Sequence, residues 1–393
     1  MKKALIFAAI LSLVGSVFAG LVFAGCGSTP VIKIGVIAEI TGNIPAVGES
    51  CRNAVTLAAD DINRSGGISV AGKSYRVELV IKDSANQPDQ AAALARELID
   101  TDKVVAIIGP NSTGNTLPAA TEAENSHVVL VTPWSTSPAT TLDNAGNPRR
   151  YVFRVAVTTA YQAQHLSVFA RSNLGAGTAA VLFDDTADVL RIQSEDIRAG
   201  FARAGGSVVA YEPFKPGDSV SAQVASIKTA APDVLFLVAY YNDVPSLLRQ
   251  VKSAGITAQI IGTDAWSTPD IIAQSGQDIE GAYAFNMYSP QSTGPGTQEF
   301  VAEYEAAYGS APDDVAALSY DAVGLVRAGL EGSQSLERQS LDDALLGLRE
   351  FGGVTGKMRW TPDSRDPLRS AVMLKVISGQ FILFAQLDPP VMP

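Results

Sequence analysis

The chain has 393 residues, of which 47% are hydrophobic and 18% are charged, with 34 glycines and 21 prolines. This composition is typical of a globular protein of two or three domains and excludes a disordered, collagen-like or coiled-coil chain. The formal net charge of −11 disfavours a nucleic-acid partner, because phosphate binding depends on Lys and Arg. Two cysteines and two histidines are too few for a zinc site, a haem motif or a disulfide framework. We therefore predict no metal and no cofactor.

The first thirty residues have the pattern of an export signal. Two lysines precede a long uncharged apolar run, which ends in small residues before Cys26. The segment Val22-Phe23-Ala24-Gly25-Cys26 resembles a bacterial lipobox, in which the cysteine is lipidated and becomes the new N-terminus. We predict a signal peptide over residues 1–25, lipidation at Cys26 and a tether over residues 26–30. The alternative is a transmembrane anchor, because the apolar run is long enough to span a bilayer.

From residue 31 the chain alternates short β-branched runs with amphipathic helical segments. Predicted strands cover residues 31–38, 75–83, 104–109 and 128–132. Predicted helices cover residues 51–63 and 88–99, and a third begins at Ser112 or Thr113. A glycine- and proline-containing loop is predicted over residues 42–50. Nearly continuous apolar strands between helices indicate a parallel sheet covered on both faces.

A second series repeats the pattern. Its predicted strands cover residues 178–183, 208–211, 234–239 and 259–262, and its helices cover residues 189–204, 220–229 and 244–253. Extended segments at 151–157 and 281–287 flank this series, helices follow at 296–308 and 313–332, and a hairpin of strands 372–377 and 381–385 ends the chain. The fold class is therefore α/β, with two parallel-sheet series.

Two polar loops of the first series follow strands, at the edge where open α/β sheets bind ligands. Residues 109–115 open a helix, so free backbone N–H groups and the hydroxyls of Ser112 and Thr113 suit a carboxylate. One β-α unit later, Ser135 and Thr136 would lie beside Thr113 and converge on the same anion. The alternatives are ordinary helix capping in the first loop and a Ser/Pro-rich turn in the second.

Two loops of the second series complement these hydroxyls. Asp264 ends a strand, where a buried carboxylate needs a partner, and a ligand ammonium is one such partner. Tyr240, after another strand, is placed to cover the apolar part of a ligand. Local helix capping and packing at the sheet edge are the alternatives. An anion receptor in one half and a carboxylate in the other suit a zwitterion.

The motifs resemble those of the type I periplasmic solute-binding proteins of ABC importers, in the Leu/Ile/Val-binding branch. The resemblance covers nearly all of residues 31–384. The segments that carry it are 34–36, 42–48, 58–68, Asp83, 107–110, 132–133, Arg154, 247–250, 262–264, 319–322 and 353–360.

The resemblance implies two Rossmann-like lobes with parallel sheets, joined by three crossover strands near residues 154–157, 281–287 and 356–360. Lobe one would comprise residues 31–155 and 285–358, and lobe two residues 156–284 and 359–393.

The resemblance also implies how a ligand is held. Hydroxyls and amides at Thr113 and Thr136 would take its α-carboxylate. The Ser135 carbonyl and the Asp264 carboxylate would take its α-ammonium, and Tyr240 would cover it from the second lobe.

Two departures from the family pattern alter the predicted side-chain pocket. Trp134 fills a position that is usually small, where it would narrow the pocket or stack on the ligand. Asp185 and Asp188 lie where the family often has a Tyr-Gly, and either would accept a polar or cationic group. The ligand is therefore not fixed as leucine. If Asp264 is only a helix cap, an aromatic acid, amide or urea-like solute becomes the alternative.

We therefore expect a monomeric lipoprotein, anchored in the periplasm or at the cell surface, that delivers an amino acid-like ligand to an ABC permease. A sensor or receptor of the same fold is one alternative. An enzyme is another, but His127 and His165 are the only histidines and neither a G-x-S-x-G nor an H-E-x-x-H motif is present. We predict no catalytic residue.

Overall fold

The structure is a computed structural model that describes residues 29–268 and 270–389. The predicted signal peptide over residues 1–25 and the predicted lipidation site at Cys26 lie outside the described residues. Among the helices that are described, none is both long enough and apolar enough to cross a bilayer.

The described chain forms sixteen strands. In chain order these are β1 Val31–Ala38, β2 Ile68–Val70, β3 Lys73–Asp83, β4 Ala106–Ile108, β5 Val129–Thr132, β6 Val152–Arg154, β7 Thr178–Asp184, β8 Ser207–Phe214, β9 Val234–Val238, β10 Gln259–Gly262, β11 Tyr283–Asn286, β12 Glu350–Gly353, β13 Gly356–Arg359, β14 Leu368–Arg369, β15 Ala371–Ile377 and β16 Gln380–Leu387.

Eleven α-helices cover the sheets within the same residues. These are α1 Pro45–Arg64, α2 Pro88–Asp100, α3 Thr113–Asn125, α4 Thr159–Ser172, α5 Asp188–Arg203, α6 Ser221–Ala230, α7 Val244–Ser253, α8 Asp270–Ser275, α9 Thr297–Tyr308, α10 Asp314–Gly332 and α11 Arg338–Gly347.

The strands form two large sheets and one small one. The first sheet has the order β2-β3-β1-β4-β5-β6, and the second has the order β16-β15-β11-β10-β9-β7-β8. Pairing is parallel in both, except at the β2–β3 hairpin and at the antiparallel strands β15 and β16. The third sheet joins β12, β13 and β14. The predicted α/β class with two parallel-dominated sheets is confirmed.

The chain passes between the two large sheets three times. It leaves the first sheet after β6, returns after β11 to form α9 and α10, and enters the second sheet again at β15. The buried guanidinium of Arg369 ties these linking segments together. Its Nη1 donates to the carbonyl of Val155 (3.1 Å), and its Nη2 donates to the carbonyls of Met287 (3.1 Å) and Thr355 (3.0 Å). The lobe boundaries proposed above stay a prediction.

The predicted loop over residues 42–50 is wrong in its second half, because α1 begins at Pro45. Proline at the first helical position needs no backbone donor there. Gly48 then packs the helix onto the end of β1, where an added Cβ would lie 2.1 Å from the carbonyl carbon of Glu39. The glycine therefore permits a close helix–strand approach and does not mark a flexible loop.

Candidate functional site

A cavity of about 270 Å³ lies where loops from the two large sheets meet. The first sheet contributes Asn111, Ser112, Thr113, Trp134 and Thr136, and the second contributes Val189, Leu190, Tyr240 and Asp264. Because the loops follow the carboxyl ends of parallel strands, this is the place where such sheets bind ligands.

Six of the eight ligand-binding residues predicted from the sequence line this cavity: Ser112, Thr113, Trp134, Thr136, Tyr240 and Asp264. Ser135 lies directly behind the wall, with its Oγ 3.0 Å from Thr113 Oγ1 and 2.7 Å from Thr140 Oγ1. It therefore orients the Thr113 hydroxyl from behind.

Asp185 is the predicted residue that the structure does not bring to the cavity. Its side chain is exposed, and its backbone N–H donates to the carbonyl of Phe214 (3.0 Å). The first turn of α5 replaces it, because Val189 and Leu190 are buried there and face the cavity. Sequence analysis placed both residues at the start of a helix and did not assign them to the ligand site.

Glu39, which follows β1, was also missed. Its carboxylate is fully buried and lies at the N-terminus of α3. Oε1 accepts from the backbone N–H groups of Asn111 (3.1 Å) and Ser112 (3.0 Å), and Oε2 accepts from Asn111 Nδ2 (2.9 Å). The Ser112 amide that we expected to be free is therefore bonded within the protein. The sequence feature that could have indicated Glu39 is a single acidic residue directly after an apolar strand.

The next amides of α3 stay open to a ligand. The backbone N–H groups of Thr113 and Gly114 are in the first helical turn, which has no intrahelical acceptors, and they have no acceptor among the described residues. Together with the hydroxyls of Thr113 and Thr136 on the cavity wall, they form a neutral donor set suited to a carboxylate.

Asp264 faces this donor set from the second sheet, on a short 3₁₀ turn after β10. Burial raises the pKa of its carboxyl to about 6, although the nearby amides of Gln162 and Gln193 oppose the shift. Gln193 Nε2 lies 3.5 Å from Asp264 Oδ1. No Lys, Arg or His of the described residues forms an ion pair with Asp264, and a ligand ammonium would supply that cation.

Aromatic rings close the cavity from both sides. Trp134 from the first sheet and Tyr240 from the second face each other with ring centroids 6.4 Å apart, tilted by 43°. Burial raises the pKa of the Tyr240 hydroxyl above its usual value, so it is neutral at physiological pH. The pair is placed to enclose a ligand side chain.

Arg154 fixes the loop that carries the predicted ligand contacts. It is fully buried, and its guanidinium donates to the carbonyls of Ser135 (3.0 Å) and Ser137 (2.7 Å). Its Nε lies 2.6 Å from Asp366 Oδ1. The Ser135 carbonyl accepts one hydrogen bond from Arg154 and keeps a second lone pair, so this carbonyl and Asp264 both stay predicted partners of an ammonium. Elsewhere within the residues that the structure covers, no three potential metal ligands cluster.

Comparison with known proteins identifies relatives over most of the chain. The model of a family described as periplasmic binding protein matches residues 31–380. A Leu/Ile/Val-binding protein homolog of Brucella melitensis is 27% identical over 308 residues, 78% of this chain and 80% of its own.

Solved structures match the fold as well. A leucine-binding protein of Thermotoga maritima is 30% identical, with a TM-score of 0.83 over 91% of this chain and 99% of its own. A branched-chain amino acid transporter substrate-binding protein of Streptococcus pneumoniae, in complex with isoleucine, is 27% identical with a TM-score of 0.81, over 92% of this chain and 100% of its own.

Proposed function

This chain belongs to the periplasmic binding protein family, and on that premise we propose that it captures a small amino acid between two lobes and delivers it to an ABC importer. The family resemblance predicted from the motifs is confirmed by the comparisons. The protein is a solute-binding protein and not an enzyme, and its family acts in the periplasm or elsewhere outside the cytoplasm.

One observation carries the choice of ligand. The cavity joins a neutral donor set at Thr113 and Thr136 to a buried carboxylate, Asp264, that has no cationic partner among the described residues. A zwitterion satisfies both ends, because its carboxylate meets the amides and hydroxyls while its ammonium pairs with Asp264. An aromatic acid without an amine would leave Asp264 unpaired, so the structure favours an amino acid over this alternative.

In this proposal the binding protein acts by closing its two lobes around the ligand. Each end of the ligand contacts a different sheet, so the ligand binds the closed arrangement more tightly than an open one and shifts the population towards it. In this proposal the permease recognises the closed protein, a lipid on Cys26 holds a monomer at the membrane, and the lobes have the boundaries given by the sequence.

The proposal predicts that Asp264→Ala loses on the order of 2–5 kcal/mol of amino-acid binding, because a buried ammonium would lose its charged partner. Isothermal titration with the twenty amino acids, followed by the best ligand against the variant, measures this loss. Asp270→Ala, at an exposed carboxylate six residues later, is the matched control and should bind within twofold of the natural protein. Equal affinities for the two variants would contradict the role of Asp264.

A further inference from the structure

Two buried polar atoms of the cavity-lining residues lack a hydrogen-bond partner among the described residues. They are Nε1 of Trp134 and Oδ1 of Asn111, and the two side chains are only 5% and 0% exposed. The orientation of the Asn111 amide is set by its Nδ2, which donates to Glu39 Oε2 (2.9 Å), so the carbonyl oxygen is the atom left over. Buried polar atoms without partners are rare and destabilising.

A ligand side chain that carries both a donor and an acceptor can satisfy these two atoms. In the proposed function the α-carboxylate is bound by Thr113 and Thr136, and the α-ammonium is bound by Asp264. The indole N–H of Trp134 then needs an acceptor, and the carbonyl oxygen of Asn111 needs a donor. A hydroxyl or a carboxamide carries both, whereas an aliphatic side chain carries neither.

The charged groups on the cavity wall restrict the choice of ligand side chain further. Among the residues that the structure describes, no Lys, Arg or His lines the cavity. The buried Glu39 carboxylate is bonded directly to Asn111, so an acidic side chain would be repelled. Asp264 is committed to the α-ammonium, which leaves no second carboxylate on the wall for a basic side chain.

On the premise of the proposed function, we infer that the ligand is a small amino acid whose side chain ends in a neutral hydroxyl or carboxamide. This group accepts a hydrogen bond from Trp134 Nε1 and donates one to Asn111 Oδ1. The protein therefore discriminates against aliphatic amino acids of the same shape, because they leave two buried polar atoms unpaired.

Three pairs of amino acids test the inference on the unaltered protein. Threonine and valine have the same shape, as do asparagine and leucine to a close approximation, and serine differs from alanine by one hydroxyl. Isothermal titration should show at least one polar member binding about tenfold or more tightly than its partner. If none does, the inference is overturned while the proposed function stands. If none of the twenty amino acids binds, both are overturned together.

A conservative variant tests the assigned donor. Trp134→Phe removes the indole N–H and keeps an aromatic ring, so it should reduce the polar-to-aliphatic affinity ratio about tenfold. Trp360→Phe is the matched control, because Trp360 also has an unpartnered buried Nε1 but lines a different cavity, and its ratio should not change. If Trp134→Phe weakens both members of a pair equally, the indole contacts the shared backbone of the ligand, and the inference is overturned.

Discussion

At the scale of single residues, the proposed function makes amino-acid binding depend on the protonation state of Asp264. Burial raises its pKa from 3.8 to about 6, so a ligand-free molecule at pH 5 holds this carboxyl mostly protonated. An ammonium needs the ionised form, and binding below pH 6 must therefore release a proton. Other carboxyls whose pKa values are raised by burial, including Asp313, Asp314, Asp321 and Asp342, do not line the cavity.

This linkage predicts that amino-acid affinity falls about tenfold for each pH unit below 6. In the free protein the folding stability depends on pH in the opposite direction. The raised carboxyl pKa stabilises the fold most below the unfolded pKa near 3.8, and this contribution is lost as pH rises through 6. Ligand should therefore increase the melting temperature more at pH 7.5 than at pH 5. Titration at both pH values measures the effect, and equal dissociation constants would refute it.

The sequence predicted most of the cavity-lining residues because strand-end position and side-chain chemistry are both local. Thr113, Thr136 and Asp264 each lie within five residues of the end of an apolar strand, and the rule for parallel sheets places such residues at the ligand-binding edge. Asp185 obeys the same rule but is exposed. Leu190 is one residue of an ordinary amphipathic helix, and only the three-dimensional packing of α5 shows which side of that helix meets the cavity.

At the scale of secondary-structure elements, the contact between α1 and the end of β1 depends on a single glycine. Sequence analysis interpreted the glycine and proline near residue 45 as loop signals, since both residues interrupt elements more often than they begin them. The structure uses Pro45 to start the helix and Gly48 to seat it on the Glu39 backbone. The Glu39 side chain also accepts a hydrogen bond from the loop that opens α3. The packing of α1 and the candidate ligand site therefore both depend on Glu39.

Gly48→Ala should therefore destabilise the protein by about 2 kcal/mol or more, because the added methyl meets backbone atoms that cannot move aside. Urea denaturation measures the change. Gly347→Ala is the matched control, since it is also in a helix and its added methyl would meet nothing within 4 Å; alanine there should be neutral or slightly stabilising. Equal effects of the two substitutions would show that the close approach of α1 to β1 does not matter.

At the scale of the whole molecule, the three linking segments depend on one another through Arg369. Its charge is buried and satisfied by carbonyl groups of all three segments, so the three segments share one donor. Arg154 makes a comparable link between the ligand loop and Asp366. Neither arrangement could be predicted from the sequence, because each joins residues more than 200 positions apart.

Arg369→Met should cost about 3–5 kcal/mol of stability, because several buried carbonyls lose their donor and Asp321 and Asp314 lose a nearby positive charge. Arg359→Met is the control, since that side chain is 63% exposed and pairs only at the surface, where about 1 kcal/mol or less is expected. Urea denaturation of both variants measures the loss in the free energy of unfolding. Equal losses for the two variants would show that Arg369 does not hold the linking segments together.

The most direct test of the account is a crystal structure of the protein with the ligand that it retains through purification. We expect an amino acid whose ammonium pairs with Asp264 and whose carboxylate accepts hydrogen bonds from Thr113 and Thr136, within a cavity closed by Trp134 and Tyr240. A bound molecule without an amine, or one that lies away from these loops, would contradict the account.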